Sequence, residues 1–276
     1  MLRTVRPEEL DGLIAAFWPV ALDLTRSAYP TYADGVKTPA DFASAVTRAW
    51  AEDWGEVLVH VRDGADNALV VLDAVDDAYV SLHICLTRAH QPECLAEVLA
   101  YLRQRHAGKT LWLGFAPENW DMLAFVRRNG FRLLDNSVNW NIPLERWQRR
   151  EPERLVMPVC KDNYDAFSAL WTDEGMYWNA GRIAESMARW LLFVTADGLG
   201  AAACMRDARL PEIFGFQYRD GYDEAVHRAL LTACLNAAAE ADAGHLTYFA
   251  APEETAVMTA LGFRRVSAYQ CYEMML

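Results

Sequence analysis

The sequence lacks the paired cysteine and histidine spacings that build metal sites and disulfide frameworks. Its six cysteines stand singly in apolar surroundings, with no C-x-x-C or C-x-x-H pair, and its six histidines show no metal-ligand spacing. We therefore expect no metal. The cysteines are expected to be buried free thiols: Cys85, Cys94, Cys160, Cys204, Cys234 and Cys271.

Runs of basic residues and long apolar runs are also missing. The 276 residues carry a formal net charge of -12, and Lys and Arg cluster only in the short segment RWQRREPER. We therefore expect no nucleic-acid partner and no membrane partner. The longest apolar stretch, LIAAFWPVALDL, contains a proline and is shorter than the roughly 20 residues of a membrane span. The N-terminal MLRTVRPEEL has no apolar signal region, so a cytoplasmic protein is expected. The acidity favours ordinary solubility, with attraction of a cationic substrate as the alternative.

Common catalytic signatures are absent. The sequence contains no G-x-S-x-G elbow, no P-loop and no H-E-x-x-H motif. His83 and Cys85 lie close together in one predicted strand, which favours two packed side chains over a base and a nucleophile.

A repeat of about half the chain is the strongest pattern present. The segment APENWDMLAFVRRNGF has a shorter counterpart, APEETAVMTALGF, and in both a short amphipathic helix is predicted to end at Gly-Phe. Four landmarks recur in the same order, at separations of 134, 136, 135 and 132 residues. They are Asp63-Gly64 with Asp197-Gly198, Ala107-Gly108 with Ala243-Gly244, Ala116-Pro117-Glu118 with Ala251-Pro252-Glu253, and Gly130-Phe131 with Gly262-Phe263.

The order of predicted elements is the same in both halves. A strand and helices come first, followed by antiparallel strands with Asp-Gly turns, a long helix, a strand, the short helix and a last strand. We predict an α/β (α+β) protein of two tandem domains, residues 1–145 and 152–276, each a mixed, mainly antiparallel sheet flanked by helices. The proline-containing PLERWQRREPER would join them.

The repeat excludes a dinucleotide site. FVTADGLGAAA matches the G-x-G-x-x-A pattern, which requires a helix directly after the glycines. Its counterpart in the first half, VHVRDGADNALVV, is a strand, an Asp-Gly turn and a strand. We therefore predict a hairpin in both places.

This order of elements resembles the GNAT superfamily of acetyl-CoA-dependent N-acyltransferases. The family's short helix resembles N-x-x-A-x-x-x-Y-x-x-x-G-F, which the first half matches at Asn119, Gly130 and Phe131 and the second at Gly262 and Phe263. The resemblance implies transfer of an acetyl group from acetyl-CoA to an amine of a small molecule or peptide, with at most one half active. The alternative is a non-catalytic GNAT-fold protein that binds a ligand or another protein. A homo-oligomer is left open.

The resemblance also implies where the CoA pyrophosphate would bind, at the start of the long helix of a half. In the first half that loop has no glycine, and Pro92 removes a backbone donor; in the second half, Asp220, Asp223 and Glu224 would repel phosphate. The cofactor-binding candidates are Phe216, Gln217, Arg219 and Gly221 in the second half, and Arg88 and His90 in the first.

Amine acetylation needs a base for the amine and often an acid for the leaving thiolate. The family's acid, a tyrosine four residues before the glycine, is replaced here by Val126 and Met258. We select Glu212 as base and Tyr218 as acid. The alternative for Glu212 is an exposed glutamate after a proline at a strand start, and the alternative for Tyr218 is ordinary packing. Tyr269 and Tyr272 are further candidate acids, with the same alternative.

The acceptor site implied by the family lies between the first two helices and the splayed strands. In the second half this region carries the aromatic residues Trp171, Tyr177 and Trp178, our substrate-binding candidates, and the acidic Asp173 and Glu174. The first half has Tyr29 and Tyr32 there. Core packing is the alternative for all these aromatic residues.

Overall fold

The computed structural model describes residues 1–28, 30–172, 177–207 and 209–276. It divides into two compact units. Unit 1 comprises Met1–Ser137 and Val266–Leu276, and unit 2 comprises Val138–Arg265.

The described residues of the first part of the chain form six strands and four α-helices. They are β1 (Leu2–Thr4), α1 (Leu10–Ala21), α2 (Pro39–Ala51), β2 (Gly55–Arg62), β3 (Ala65–Ala74), β4 (Tyr79–Thr87), α3 (Gln91–Arg105), β5 (Thr110–Phe115), α4 (Trp120–Arg128) and β6 (Arg132–Pro143).

The second part repeats this order. Its elements are β7 (Val156–Pro158), α5 (Tyr164–Ser168), α6 (Ala180–Glu185), β8 (Trp190–Thr195), β9 (Gly200–Met205), β10 (Glu212–Tyr218), α7 (Glu224–Glu240), β11 (His245–Ala250), α8 (Thr255–Leu261) and β12 (Arg264–Met275).

The sheets of the two units have the same topology. In unit 1 the strand order is β1-β2-β3-β4-β5-β12, and in unit 2 it is β7-β8-β9-β10-β11-β6. All neighbours are antiparallel except β4–β5 and β10–β11, which are parallel. The repeat expected from the spacing of landmarks is therefore a repeat of topology.

The last strand of each repeat pairs within the unit formed mainly by the other repeat. β12 pairs with β5, with Gln270 opposite Phe115, whereas β6 pairs with β11, with Val138 opposite Ala250. The compact units consequently differ from the sequence intervals 1–145 and 152–276. An interval of sequence cannot represent this exchange, because the pairing joins residues more than a hundred positions apart.

Local sequence explains the turns that the repeat shares. Gly64 and Gly198, with φ of 77° and 68°, form the β2–β3 and β8–β9 turns, so FVTADGLGAAA is the predicted hairpin. Gly130 and Gly262 have φ of 72° and 92° at the ends of α4 and α8, a backbone conformation that glycine adopts without a Cβ clash. The Gly-Phe motif thus ends a helix twice.

Each sheet has an apolar core on both faces. In unit 1, one core packs α3 and α4 on the sheet and the other packs α1 and α2. In unit 2, α7 and α8 cover one face, and α5 and α6 pack on the other.

The expected burial of the cysteines is found only in part. Cys85, Cys94, Cys204 and Cys234 are buried, but Cys271 is partly exposed and Cys160 is exposed, since Cys160 lies just after the edge strand β7.

Candidate active site

The two parallel strands of unit 2 separate after a short stretch of pairing. β10 pairs with β11 only at Glu212–Thr247 and Ile213–Tyr248, after which β10 continues to Tyr218. The extra residue Phe214 makes a bulge against β9 at this point. Among the described residues, nothing forms a β-bridge to the edge of Phe214–Tyr218 that faces β11. We call this opening the unit 2 gap.

Unit 1 has the same opening, and a segment of its own chain fills it. β4 and β5 pair only from Tyr79–Thr110 to Leu82–Leu113, and His83 is the bulged residue. Arg26–Ala28, which we call the strap, lies between the separated strands, with antiparallel bridges to both. We call this opening the unit 1 gap.

Backbone hydrogen bonds hold the strap in place. The Ala28 N–H donates to the Cys85 carbonyl (2.9 Å), and the Thr87 N–H donates to the Arg26 carbonyl (3.1 Å). Asn119 Nδ2 donates to the Ser27 carbonyl (3.3 Å), and its Oδ1 caps α4. Ser27 and Ala28 are 0% and 1% exposed. The unit 1 gap therefore fits one extended peptide segment and is closed by it.

A cluster of titratable side chains borders the unit 2 gap on the α7 face. Tyr218 Oη lies 2.7 Å from His227 Nδ1, which also lies 3.6 Å from Glu254 Oε1. Glu254 Oε2 accepts from Tyr248 Oη (2.8 Å) and from the Ala251 N–H (2.9 Å). We call Tyr218, His227, Tyr248 and Glu254 the gap cluster. Phe216 packs against it, with ring centroids 4.5 Å from His227 and 5.3 Å from Tyr248.

Burial sets the charge states in the gap cluster. It lowers the pKa of His227 to about 4, so the imidazole is neutral at physiological pH and its contact with Glu254 is not an ion pair. Burial raises the pKa of Glu254 to about 6, although the hydrogen bonds from Tyr248 and Ala251 oppose the shift. Burial also raises the pKa of Tyr218, which therefore remains a phenol.

The gap cluster has clear counterparts in unit 1. Tyr218 and Thr87 each lie four residues beyond the bulged residue, and His227 and Cys94 each lie four residues beyond a helix N-cap. Tyr248 and Leu113 take part in the last parallel pair before the gap, and Glu254 and Asn119 are the N-caps of α8 and α4. Asn119 contacts the segment that fills the unit 1 gap. Its counterpart Glu254 therefore lies where it would contact a ligand in the unit 2 gap.

The predicted base and acid are not brought together. Glu212 begins β10 beside Thr247, and Tyr218 ends it. Six residues of strand separate their Cα atoms by roughly 20 Å. One acyl carbon cannot contact both side chains.

The cofactor-binding candidates lie in different surroundings. Phe216 and Gln217 lie on β10, in the part that borders the unit 2 gap. Gly221 precedes α7 and has a φ of 89°. The Arg219 guanidinium lies beside Gly198 in the β8–β9 turn. In unit 1, the Arg88 guanidinium donates to backbone carbonyls and lies over a phenylalanine ring, while His90 is the exposed N-cap of α3.

The substrate-binding candidates of unit 2 form part of an aromatic row. Trp171 is buried, and its Nε1 donates to the Trp178 carbonyl (2.9 Å). Trp178 has edge contacts with Tyr177 (5.0 Å) and Trp190 (5.3 Å), and Trp190 contacts Phe214 at the bulge (5.8 Å). Trp178 and Phe214, both partly exposed, connect this row to the inner end of the unit 2 gap.

Other candidates lie elsewhere or outside the described residues. Tyr32 is buried among Trp18 and Phe42, whereas Tyr269 packs over Gly114 and Tyr272 stacks on a ring of β5, all in unit 1. Tyr29, Asp173 and Glu174 lie outside the described residues. His83 and Cys85 have separate partners: His83 faces Asp73 (3.7 Å), and Cys85 faces Thr87.

Metal-ligand clusters and membrane-spanning helices were both searched for in the described part of the chain. No group of three or more His, Cys, Asp or Glu side chains there could hold a metal ion. Helices in that part are too short or too polar to cross a bilayer. Two surface cavities of unit 2, of about 210 and 150 Å³, are lined by residues other than those of the gap cluster.

Comparison with known proteins gives a likeness in structure only. No family model matches the sequence, and no curated protein sequence matches it. A GCN5-related N-acetyltransferase from Sphaerobacter thermophilus superimposes with a TM-score of 0.68 at 14% identity, covering 99% of this chain and 95% of that one. The chain has the GNAT fold. A tandem GNAT protein from the clavulanic acid biosynthesis pathway matches with a TM-score of 0.61 at 14% identity, over 99% of this chain and 98% of that one.

The chain also superimposes on a third solved structure. The N-myristoyltransferase of Saccharomyces cerevisiae, solved with bound myristoyl-CoA, matches with a TM-score of 0.53 at 9% identity, covering 99% of this chain and 80% of that one. At such identities the likeness establishes the fold. The predicted resemblance, the tandem arrangement and the mixed sheets flanked by helices are confirmed.

Sequence reasoning missed His227, Glu254 and the strap. His227 occurs singly in the apolar stripe of a long helix, a pattern more typical of a packed side chain. Glu254 was available as a signal, because it stands where the other repeat has the motif asparagine Asn119. Neither repeat marks Arg26–Ala28 as a strand, since its pairing partners lie far away in sequence.

Proposed function

We propose that the protein is an N-acyltransferase in which unit 2 holds the acyl donor and unit 1 is structural. The donor is acetyl-CoA, and the acceptor is an amine of a small molecule or peptide. The observation that carries this proposal is the strap. It demonstrates in unit 1 that the gap between the parallel strands fits one extended, amide-bearing chain.

Strand-edge chemistry explains why the unit 2 gap suits such a donor. The edge of Phe214–Tyr218 offers backbone N–H and C=O groups, which an extended chain with amide groups can pair with, as an added β-strand does. The arm between the thioester and the nucleotide of CoA carries amides of this kind. In unit 1 the corresponding edge is already paired with Arg26 and Ala28.

Glu212 is proposed as the base, because it lies where the strands separate and the aromatic row begins. The co-substrate supplies an acetyl thioester. The amine nitrogen forms a bond to the carbonyl carbon and gives its proton to the Glu212 carboxylate. As the carbon–sulfur bond breaks, the sulfur takes up a proton from solvent. Tyr218 lies at the outer end of the gap, and roughly 20 Å of strand separate its Cα atom from that of Glu212. It is therefore proposed to hold the arm of the donor.

The acceptor is proposed to bind along the aromatic row of Tyr177, Trp178, Trp190 and Phe214, with Trp171 as its buried support. Faces of indole and phenol rings attract cationic amines. The row already holds the Arg182 guanidinium, 3.9 Å from the Tyr177 ring centroid, and the Arg189 guanidinium, 5.6 Å from the Trp178 ring centroid. The net charge of -12 also favours a cationic acceptor.

A non-catalytic role in ligand binding is the second candidate. It is favoured by the closed unit 1 gap and by the acidic residues Asp220, Asp223 and Glu224 at the start of α7. Both candidates use the unit 2 gap. They differ in whether an acetyl group leaves the donor.

Calorimetric titration with acetyl-CoA tests the donor site. We expect saturable binding of one molecule per chain and a higher melting temperature, since a ligand that binds only the native state stabilises it. Two molecules per chain would contradict the assignment of unit 1 as structural. Absence of both binding and a thermal shift at millimolar acetyl-CoA would overturn the proposal.

Turnover separates the two candidates. Release of free thiol from acetyl-CoA would be followed with a panel of polyamines, aminoglycosides and peptides. The Glu212→Gln variant should lose at least about a hundredfold in rate, in the range of general-base catalysis, and keep its affinity for acetyl-CoA. Glu185→Gln, an exposed change at the end of α6, serves as the matched control. Binding without any thiol release would favour the non-catalytic candidate.

A further inference from the structure

The start of α7 binds its own carboxylate in place of an external anion. Asp223 Oδ1 accepts from the N–H groups of Ala225 (2.8 Å) and Val226 (3.0 Å). The His227 N–H donates to the Asp223 carbonyl (2.8 Å). The backbone donors that make a helix N-terminus a phosphate site are therefore largely occupied.

The charge around this helix start is negative. Asp220, Asp223 and Glu224 are all exposed there. The pKa of the neighbouring Tyr222 phenol is raised, mainly by burial and in addition by the carboxylates of Glu254, Glu224 and Glu253. These side chains come from the β10–α7 loop, α7 and the turn before α8. They create a field that opposes a diphosphate.

Nearby cations do not offset this field. The Arg228 guanidinium forms an ion pair with Glu224, one turn away on α7. The Arg219 guanidinium lies beside Gly198 in the β8–β9 turn, on the side of β10 away from the gap. Within the part of the chain that the structure describes, neither arginine therefore supplies a free positive charge to the outer end of the unit 2 gap.

The lining of the unit 2 gap suits the uncharged part of an acyl donor. Its backbone edge from Phe214 to Tyr218 and its floor of Phe216 and Tyr248 suit an amide-bearing arm, in the way that the strap occupies unit 1. The strap's own contacts to the strands and to Asn119 are made by backbone groups.

We propose that the acyl donor is recognised through its amide-bearing thioester arm alone, and that donors without a diphosphate bind at least as well as acetyl-CoA. The inference rests on the unit 2 gap being the donor site of the proposed function. It extends the donor class from acetyl-CoA to other acyl thioesters of pantetheine, with or without an attached nucleotide.

Calorimetry with S-acetylpantetheine and acetyl-CoA tests this directly. On the wild-type protein, S-acetylpantetheine should bind with equal or higher affinity. Affinity for acetyl-CoA should increase as salt is raised, because salt screens the repulsion, whereas affinity for S-acetylpantetheine should not change. This sign is opposite to that of a normal phosphate site.

A triple variant, Asp220→Asn, Asp223→Asn and Glu224→Gln, reduces the repulsion and keeps the cap, since asparagine caps as well as aspartate. At low salt its affinity for acetyl-CoA should rise about tenfold, with no change for S-acetylpantetheine. The matched control, Asp162→Asn, Asp165→Asn and Glu185→Gln, makes the same change in net charge at exposed positions of the α5 and α6 region. It should leave both affinities unchanged.

The outcomes separate this inference from the proposed function. If acetyl-CoA binds tenfold or more tightly than S-acetylpantetheine and salt weakens it, the inference is overturned and the proposed function stands. If neither compound binds at millimolar concentration, both are overturned. Equal gains in the triple variant and the control would also overturn the inference, because the effect would then come from net charge alone.

Discussion

The two gaps show how one topology can be completed in two ways. In unit 1 a backbone strap fills the space between the parallel strands, and the surrounding positions carry the small or neutral side chains Thr87, Cys94, Leu113 and Asn119. In unit 2 the corresponding positions carry Tyr218, His227, Tyr248 and Glu254. Buried titratable groups cost folding free energy unless they are paired. The four corresponding positions of unit 1 carry no histidine, tyrosine or carboxylate, and this difference marks the unit 2 gap as the candidate site.

Breaking the strap should have the largest effect on stability. Ala28→Pro removes the N–H that donates to Cys85 and places a ring at a position that is 1% exposed. We expect a loss of about 3 kcal/mol or more in the free energy of unfolding. Urea denaturation, with far-UV circular dichroism to confirm the fold, measures it. A loss below about 1 kcal/mol would show that the strap is only loosely held.

The unit 2 gap should contribute two opposite terms to the pH dependence of stability. His227 takes up a proton at about pH 4 when folded but at about 6.5 when unfolded, so stability is lost as the pH falls through this window, by up to about 3 kcal/mol. Glu254 acts with the opposite sign. Its folded pKa of about 6 exceeds the unfolded value of 4.5, so its contribution of about 2 kcal/mol is lost as the pH rises from 4.5 to 6.

Variants separate these two contributions. His227→Gln should reverse the slope of stability against pH between 4.5 and 6, because only the Glu254 contribution remains. Glu254→Gln should make the rise with pH steeper. Cys94→Ala, at the unit 1 counterpart of His227, is the control and should leave the slope unchanged. Denaturation at a series of pH values gives the slopes, and an unaltered slope in His227→Gln would contradict the assignment.

A smaller effect should distinguish the two asparagine caps. Asn119 caps α4 and also donates to the strap, whereas Asn179 caps α6 by accepting from the Arg182 N–H (3.1 Å). Asn119→Ala should cost about 2 kcal/mol and Asn179→Ala about 1 kcal/mol. The difference, measured by denaturation, reports the bond to the Ser27 carbonyl. Equal losses would mean that this bond adds nothing.

The smallest expected effect concerns the Tyr218 hydroxyl. Tyr218→Phe removes the 2.7 Å contact with His227 and should cost about 1 kcal/mol. Tyr164→Phe removes the hydrogen bond from the Tyr164 hydroxyl to the Ala180 carbonyl, away from the gap. It should lower the free energy of unfolding by a similar amount. Only Tyr218→Phe should also weaken binding of the acyl donor, by about tenfold in calorimetry. Equal donor affinity in both variants would exclude Tyr218 from the site.

Particular residues show how far the sequence could be interpreted. The Asp-Gly turns and the glycines at Gly130 and Gly262 were predictable, because each depends on backbone conformation within a few residues. The hairpin in FVTADGLGAAA was predictable from its counterpart. Glu212 and Tyr218 were expected at the start and at the end of one strand, and β10 has these bounds. The point at which β10 leaves β11 was not predictable, because it depends on pairing with a distant strand.

The sequence by itself determined the repeat, the order of helices and strands in each half, and hence the GNAT fold, because these follow from local periodicity, turns and caps. Only the tertiary structure decided which strand closes each sheet, what fills each gap and which side chains meet there. Those outcomes depend on pairings between distant parts of the chain, such as Ala28 with Phe115 and Tyr218 with Glu254 through His227. Contacts of this kind are settled by packing and leave no local pattern.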